Sequence, residues 1–192
     1  LERSHPDQAS LWMEGGDGAV NAIMIAGNAP DGISRALVCR HFDGSQRDVQ
    51  VEWETKMYEA ATRDLDLLGG GNEQPMVCSV GDRTVVYNKC ADLILMVCGS
   101  GIMDELVLLE VLNALLSVLR LLIPKGGPSV SGVLDQYAKV VLAIDEMVCA
   151  GSIELLDPGK ILQMSALKWD KRPKEKEERR ASTTDKNASR DK

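Results

Sequence analysis

The sequence predicts an α+β fold in which one five-stranded antiparallel sheet carries three helices, in the order ββα, βββ, αα. Three observations support this prediction. Short β-rich runs, separated by turn residues, occur first as a pair and then as a group of three. Three longer segments instead carry apolar residues at helical spacing. With 192 residues, 44% of them hydrophobic, the chain is long enough for one compact domain with a core of ordinary size.

The first half of the pattern is a hairpin followed by a helix. Residues 19–26 and 33–42 are strand-like, and the turn residues of GNAPDG between them predict a hairpin with a loop longer than two residues. From residue 49 to residue 68, apolar side chains recur at helical spacing, which predicts the first helix. The glycines and the proline of GGGNEQP, residues 69–75, predict the end of that helix.

The second half is a three-stranded meander followed by two helices. The strands MVCSV, TVVYN and LILMVCG are separated by short breaks, which is typical of antiparallel neighbours. A long helix is predicted at about 103–123 and a second at about 130–150. Ser129 or Ser131 is the predicted cap of the second helix, and Gly151 its end. A short extended or helical segment follows.

The two ends of the chain differ from this central part. Residues 1–18 are polar and glycine-rich, without the apolar core of a signal peptide, so we expect a flexible leader. Residues 168–192 contain almost no apolar side chain, which predicts a charged, disordered tail. The folded domain is therefore predicted at 19–167. Because the first residue is Leu rather than Met, we expect the numbered chain to be a fragment or a processed form.

The charge is unevenly distributed. The tail holds ten Lys and Arg against six Asp and Glu, which gives it a net charge of +4. Because the whole chain has a net charge of −7, residues 1–167 carry a net charge of −11. An acidic body lacks the clustered Lys and Arg of a broad nucleic-acid surface, so no nucleic-acid partner is predicted. Partners with basic patches remain compatible with it. The longest apolar stretch, 106–123, contains Glu110 and Arg120, which predicts a buried helix rather than a membrane span.

The long helix at 103–123 has very little polar surface. At about 100° per residue, its polar side chains fall within about 40° of Leu106 on either side. These residues are Glu110, Asn113, Ser117 and Arg120. The other roughly 280° of the helix is almost entirely Leu, Val, Ile and Ala, more than an ordinary surface helix carries. One sheet covers only part of such a surface, so the rest must meet the second helix or another protein.

The second helix adds apolar residues on its polar side. Its inward arc is predicted to consist of Tyr137, Val140, Val141, Ile144, Met147 and Val148. Leu142, Ala143 and Cys149 intrude on the opposite side, and next to such an apolar neighbour they indicate a contact patch. We therefore predict a permanent protein partner, and the alternative is a core helix that the chain covers by itself. The candidate partner-binding residues are Leu106, Glu110, Asn113, Ser117, Arg120, Leu142 and Cys149.

The segment AIDEMVC, residues 143–149, combines acids and a thiol, but its spacing argues against catalysis. Asp145 and Glu146 are consecutive on a helix, so their carboxylates diverge by about 100°. Glu146 is expected to be solvated, and Asp145 to accept hydrogen bonds from a neighbouring loop. Cys149 is expected at the helix end, where the helix dipole disfavours a thiolate. A small enzyme that uses these residues stays as an alternative of a different class.

No cofactor or metal site is predicted. Five cysteines without a CxxC pair indicate reduced thiols in a cytosolic protein. Zinc needs three or four well-placed ligands, and the two histidines, His5 and His41, lie outside any such spacing. His41 is the only histidine of the predicted domain, so a hydrolytic triad has one candidate and no matching motif. The glycine clusters GGDG and GGG lack the surroundings of a phosphate-binding loop.

Four segments together resemble a known family. TVVYNKCADLILMVCGSGIMDELVLLEVLNALLSVL, residues 84–119, resembles the zeta subunits of coatomer. LAIDEMVCAGSIELLDP, residues 142–158, resembles that family's L-A-x-D-E-[IV]-V-x-x-G-x-I-L-E-x-D-P segment. AIMIAGNAPDGISRALVCRHF is similar to its first hairpin, and VEWETKMYEAAT to its first helix, with Trp53 where the family usually has Phe. The resemblance covers about residues 19–167 and ends at the leader and the tail.

The resemblance implies a longin, or SNARE-like, fold and a non-enzymatic small subunit of the coatomer (COPI) vesicle coat. It implies binding to the trunk of the gamma-coatomer large subunit and assembly with the rest of the coatomer. Contact with an Arf-type GTPase and with the Golgi membrane would be indirect. The implied location is cytoplasmic, peripheral on Golgi and COPI vesicle membranes, in Golgi-to-ER and intra-Golgi transport. The alternative of the same fold is another trafficking longin domain, such as a sigma-like clathrin-adaptor chain or a subunit of a related coat complex.

Overall fold

The computed structural model describes residues 19–28, 35–67, 74–100 and 103–166. The predicted leader, 1–18, and the predicted tail, 168–192, lie outside these ranges. So do most of the loop of the first hairpin and most of the glycine-rich segment that was predicted to end the first helix.

The described residues form one five-stranded sheet in the order β2-β1-β5-β4-β3. All neighbouring strands are antiparallel. The first hairpin and the meander are two separate units of sequence, and the pairing of β1 with β5 joins them at the centre of the sheet. The predicted five-stranded antiparallel sheet is thus confirmed. The strands are β1 (Val20–Gly27), β2 (Arg35–His41), β3 (Met76–Val80), β4 (Arg83–Cys90) and β5 (Leu93–Ser100).

Helices cover both faces of the sheet. Strand β1 is buried along its whole length, with Ile23 and Ile25 in one core cluster and Ala22 and Met24 in the other. The first cluster lies under α2 to α5, and the second lies under α1. Alternating side chains of a strand point to opposite faces, so the central strands are apolar on both sides. The helices are α1 (Arg47–Leu67), α2 (Glu105–Leu122), α3 (Val130–Asp135), α4 (Tyr137–Met147) and α5 (Pro158–Met164).

The predicted second helix at 130–150 is wrong in two respects. It is interrupted at Gln136, which has φ −107° and ψ 17° and separates α3 from α4. Ser129 is the cap of α3, because its side chain accepts a hydrogen bond from the backbone N–H of Gly132. The close packing of Gly132 on Ile123 fixes α3 against the end of α2, since a Cβ at this glycine would lie 2.6 Å from Ile123 Cγ2. The short helix α3 is therefore separate from α4 and packed against the end of α2.

The second error concerns the end of α4. The helix ends at Met147, and the next residues form a small hairpin of β6 (Val148–Cys149) and β7 (Ser152–Ile153). Ala150 and Gly151 connect the two strands with φ values of 48° and 85°. Two consecutive positive φ angles are typical of a tight two-residue hairpin turn. Gly151 is therefore a turn residue, and Cys149 lies outside the helix, so the helix-dipole argument for its thiol does not apply.

The long apolar helix α2 is a core element. Within the parts of the chain that the structure describes, no helix is long and apolar enough to cross a membrane. Asp104 caps the start of α2 by accepting a hydrogen bond from the N–H of Leu106 at 2.8 Å. Capping satisfies a backbone donor that would otherwise have no partner and typically stabilises a helix by about 1 kcal/mol. The prediction of a buried helix is confirmed.

Candidate partner-binding surface

The polar stripe of α2 faces outward, as the helical wheel predicts. Glu110, Asn113 and Arg120 are exposed, and Ser117 is half-buried. Leu106, the apolar member of the stripe, has 67% of its surface exposed. The hydroxyl of Ser117 donates to the backbone carbonyl of Asn113 at 2.8 Å. The first five predicted residues therefore lie together along one solvent-facing line of one rigid helix.

The chain covers most of the remaining surface of α2 by itself. This helix packs on β4 and β5, and also on α4 and α5. Its buried residues are Leu108, Val111, Leu112, Ala114, Leu115, Leu116, Val118 and Leu119. Helix α5 was predicted only as a short extended or helical segment, yet it supplies part of this cover through the fully buried Ile161. The large apolar arc of α2 therefore does not by itself require a partner.

A shallow groove of about 320 Å³ runs beside the stripe. Glu110, Asn113 and Ser117 line it from α2, Leu156 lines it from the segment before α5, and Pro158 lines it from the first turn of α5. The groove thus combines a carboxylate, an amide and a hydroxyl with apolar walls. Such a mixture suits a protein surface with apolar anchors and hydrogen-bonding groups.

One exposed residue at this surface was missed by the sequence reasoning. Leu121 is 55% exposed, and on the helical wheel it lies about 60° from Leu106, just beyond the polar stripe. The signal was present in the wheel, because Leu121 lies one turn after Ser117. We define the α2 surface as Leu106, Glu110, Asn113, Ser117, Arg120 and Leu121.

The other two predicted residues lie apart from the groove. Leu142 is half-buried on α4, and Cys149 is exposed on β6. Neither lines the groove beside α2. The predicted arcs of α4 also need correction, because Ala143 is buried and Tyr137 is 48% exposed. The buried residues Val140, Ala143, Ile144 and Met147 form one arc of α4, which is rotated around the helix axis from the predicted arc.

The acid–thiol segment does not assemble into a site. Asp145 Oδ1 accepts from Arg40 of β2, at 2.6 Å from Nη2 and 2.8 Å from Nε. The partner is therefore a strand residue, where a loop was predicted. Glu146 is half-buried rather than fully solvated, and Cys149 has turned away into β6. The arrangement ties α4 to the edge of the sheet, and Cys149 lies outside the helix that carries the two acids.

A second polar cluster, on the other face of β2, was not predicted. Cys39 and His41 are two residues apart on the strand, so they share a face, and Glu54 of α1 lies over them. His41 Nε2 is 3.3 Å from Cys39 Sγ and 3.2 Å from Glu54 Oε1. Arg47 Nη1 donates to the same Glu54 oxygen at 2.8 Å. Burial, and then the charge of Glu54, raises the pKa of the Cys39 thiol.

Comparison with known proteins places the chain in a family. The family model described as the clathrin adaptor complex small chain matches residues 21–171. Coatomer subunit zeta-1 of Homo sapiens is 34% identical over 159 residues, which cover 80% of each chain. TSET complex member tstD of Dictyostelium discoideum is 26% identical over 151 residues, 79% of this chain and 94% of that protein.

The fold agrees with that of one chain in a larger complex. A chain in a homology model of the full-length AP-3 complex, in a stretched open conformation, superposes with a TM-score of 0.53. The match covers 88% of this chain and 98% of that chain at 13% identity, so it bears on the fold alone. The longin-like fold and the resemblance to coatomer zeta subunits are thereby confirmed. The chain belongs to the clathrin adaptor complex small chain family, as a structural coat subunit and not an enzyme.

Proposed function

We propose that this chain is the small subunit of a coatomer-type vesicle coat and that it binds the trunk of a gamma-coatomer-type large subunit. The observation that carries the proposal is the 34% identity to coatomer subunit zeta-1 across 80% of both chains. The match to the adaptor small chain family model, residues 21–171, includes strands β2–β5 and all five helices. The proposed role is structural: the chain completes and stabilises a larger subunit.

The α2 surface is the proposed docking site for that subunit. Its two ends are exposed leucines, Leu106 and Leu121, and its middle is the groove that Glu110, Asn113 and Ser117 line. Apolar anchors flanking a polar groove offer both buried area and hydrogen bonds that select one register. Leu142 and Cys149 form a separate proposed patch on α4 and β6.

The proposed location is the cytoplasmic side of Golgi and COPI vesicle membranes, in Golgi-to-ER and intra-Golgi transport. Under this proposal the chain reaches the membrane and an Arf-type GTPase only through the rest of the coatomer. The net charge of −11 on residues 1–167 supports indirect contact, because an acidic body gains nothing from an anionic membrane surface. The same charge argues against a nucleic-acid partner.

A TSET-type coat is the second candidate. The observation in its favour is that the similarity to tstD extends over 94% of that protein. Both candidates require a small chain bound to a large coat subunit, and they differ in which large subunit is bound. The sigma-like chains of clathrin adaptors share the family, and we place them after these two.

Co-expression separates these candidates. The full chain is produced alone, with a gamma-coatomer trunk, and with the trunk of a large TSET subunit, and each sample is analysed by gel filtration. We expect a stable 1:1 complex with the gamma-coatomer trunk. A complex with the TSET subunit alone would favour the second candidate. A chain that stays monomeric and equally soluble in all three samples would contradict the coat proposal.

Surface variants test the docking site in the same assay. Leu106→Asp places a charge at the exposed end of the α2 surface, so we expect at least about tenfold weaker binding with a normal melting curve. Val51→Asp is the matched control, since Val51 is a 45% exposed apolar residue of α1 on the opposite face of the sheet. Leu142→Asp tests the second patch. Equal affinities for the wild type and both leucine variants would place the interface elsewhere.

A further inference from the structure

The buried polar cluster between β2 and α1 has the composition of a metal site. Cys39 offers a thiolate, His41 an imidazole nitrogen and Glu54 a carboxylate oxygen, and these three atoms all lie within 4.8 Å of one another. Thiolate, imidazole and carboxylate are the three side-chain ligand types that zinc accepts in proteins. Magnesium and calcium, by contrast, prefer oxygen ligands alone.

The distances fit a single small ion. Bonds of about 2.0–2.3 Å in tetrahedral geometry place neighbouring ligand atoms roughly 3.3–3.7 Å apart. The observed separations are 3.3 Å for Cys39 Sγ to His41 Nε2 and 3.2 Å for His41 Nε2 to Glu54 Oε1. Two of the three separations are therefore near coordination spacing, and the third, from Cys39 Sγ to the Glu54 carboxylate, lies within 4.8 Å.

The site is also sheltered. The side chain of His41 is 4% exposed and that of Glu54 is 10% exposed, so water competes weakly for the ligand atoms. Arg47 pairs with Glu54 Oε1, but its own side chain is 70% exposed. An exposed ion pair contributes little to stability, so Arg47 can move into solvent when a cation binds.

We propose that Cys39, His41 and Glu54 bind one divalent transition-metal ion of the zinc class, with water as the fourth ligand. On binding, the ion displaces the Cys39 thiol proton, which passes to solvent, and no electron is transferred. The ion joins the edge strand β2 to α1 and stabilises the fold by binding the native state alone. This inference does not depend on which coat the chain belongs to.

The spacing rules applied to the sequence excluded zinc because they look for ligand pairs close in the chain. Here two ligands come from alternate positions of one strand, and the third lies 13 residues beyond His41 on a helix. A tertiary contact makes the set, and the contact between α1 and β2 is visible only in the fold.

The test uses the full chain and the metal alone. The purified chain is stripped with a chelator, loaded with zinc, separated from free metal by gel filtration, and its zinc content is measured. We expect about one zinc per chain in the wild type and in Cys149→Ser, which removes an exposed thiol that is not part of the cluster. We expect at least a tenfold lower content in Cys39→Ser and in Glu54→Gln.

Cobalt gives a readout that does not need the variants to fold. Cobalt(II) bound to a thiolate shows a sulfur-to-metal charge-transfer absorption, and tetrahedral cobalt shows intense d–d bands. We expect both in the wild-type chain at one equivalent. Failure of the wild type to retain zinc, or loss of zinc in Cys149→Ser with retention in Cys39→Ser, would overturn the proposal and leave the cluster as a set of hydrogen bonds on Glu54.

Discussion

Gly151 shows how one residue connects two distant parts of this chain. Its φ of 85° is rarely adopted by residues with a side chain, and a Cβ there would lie 3.0 Å from Ala19 Cβ and 3.1 Å from the carbonyl oxygen of Val20. The carbonyl of Gly151 accepts a hydrogen bond from the N–H of Val20 at 2.9 Å. The small hairpin after α4 is therefore hydrogen-bonded to the start of β1 at a position that only glycine fits without strain.

Replacing this glycine tests that conclusion. Gly151→Ala combines a strained φ with a close approach to backbone, so we expect the free energy of unfolding to fall by about 2–3 kcal/mol in urea denaturation. Gly126→Ala is the matched control, because Gly126 has a φ of 87° with open space around it. The Gly126→Ala variant should therefore show the backbone strain alone, and we expect its free energy of unfolding to fall by about 1 kcal/mol. Equal losses in the two variants would contradict the close-approach argument.

Asp43 is a second residue with a definite energetic role. Burial would raise the pKa of its carboxyl, but the two hydrogen bonds from Ser45 and the charge of Arg83 outweigh burial and hold the pKa below its ordinary value of 3.8. Arg83 Nη1 lies 3.0 Å from Asp43 Oδ2, and its guanidinium stacks 4.3 Å above the Trp53 ring. The carboxylate is thus stabilised in its charged form in the folded chain.

The lowered pKa of Asp43 makes the stability of the fold depend on pH. A carboxyl group whose pKa is lower in the folded chain than in the unfolded chain stabilises the fold fully at pH values above its pKa in the unfolded chain. This stabilisation is lost as the pH falls through the pKa of the folded chain. We expect Asp43→Asn to be less stable than the wild type at neutral pH and the difference to shrink below pH 3.8. Urea denaturation at a series of pH values measures it, with Glu59→Gln as an exposed control. A difference that does not change with pH would contradict the argument.

Among the elements of the fold, α5 covers part of the apolar surface of α2 and so shields it from water. Asp157 caps α5 by accepting from the N–H of Lys160, and Pro158 occupies its first turn, where a proline ring costs no hydrogen bond. The helix places the fully buried Ile161 in the core cluster beside α2. A helix of seven residues has little stability of its own, so this packing holds it in place.

Truncating that anchor should destabilise the whole domain. Ile161→Ala removes buried methyl groups and leaves a cavity, so we expect about 2–4 kcal/mol less stability in thermal or urea unfolding. Met164→Ala is the control on the same helix, because Met164 is 63% exposed and its truncation should cost less than about 0.5 kcal/mol. A small effect of Ile161→Ala would mean that α5 is not part of the cooperative unit.

The elements that the sequence predicted are those whose signals are local. Alternation and turn residues identified the strands, and helical spacing identified α1 and α2. The break at Gln136 had no such signal, because neither Gly nor Pro marks it and the apolar spacing continues. The α2 stripe was predictable because it lies on one helix. The Cys39–His41–Glu54 cluster could not be predicted from the sequence, because its residues come together only where α1 packs on β2.

At the scale of the molecule, the chain is a sheet covered on both faces by its own helices, with an acidic body. Leu106 and Leu121 are among the large apolar residues that are exposed in the described part of the chain, and they flank the polar groove of α2. Membership of the adaptor small chain family and the similarity to coatomer subunit zeta-1 indicate a component that works inside a larger coat. We therefore propose that the chain works bound to one large coat subunit.

Native co-purification identifies the large subunit to which the chain is bound. The tagged chain is isolated from its own cells under gentle conditions, the mass of the complex is measured, and the bound proteins are identified by mass spectrometry. We predict an equimolar gamma-coatomer-type large subunit together with the other coatomer chains. Recovery of the tagged chain as a free monomer, without any large coat subunit, would show that it is not a coat component.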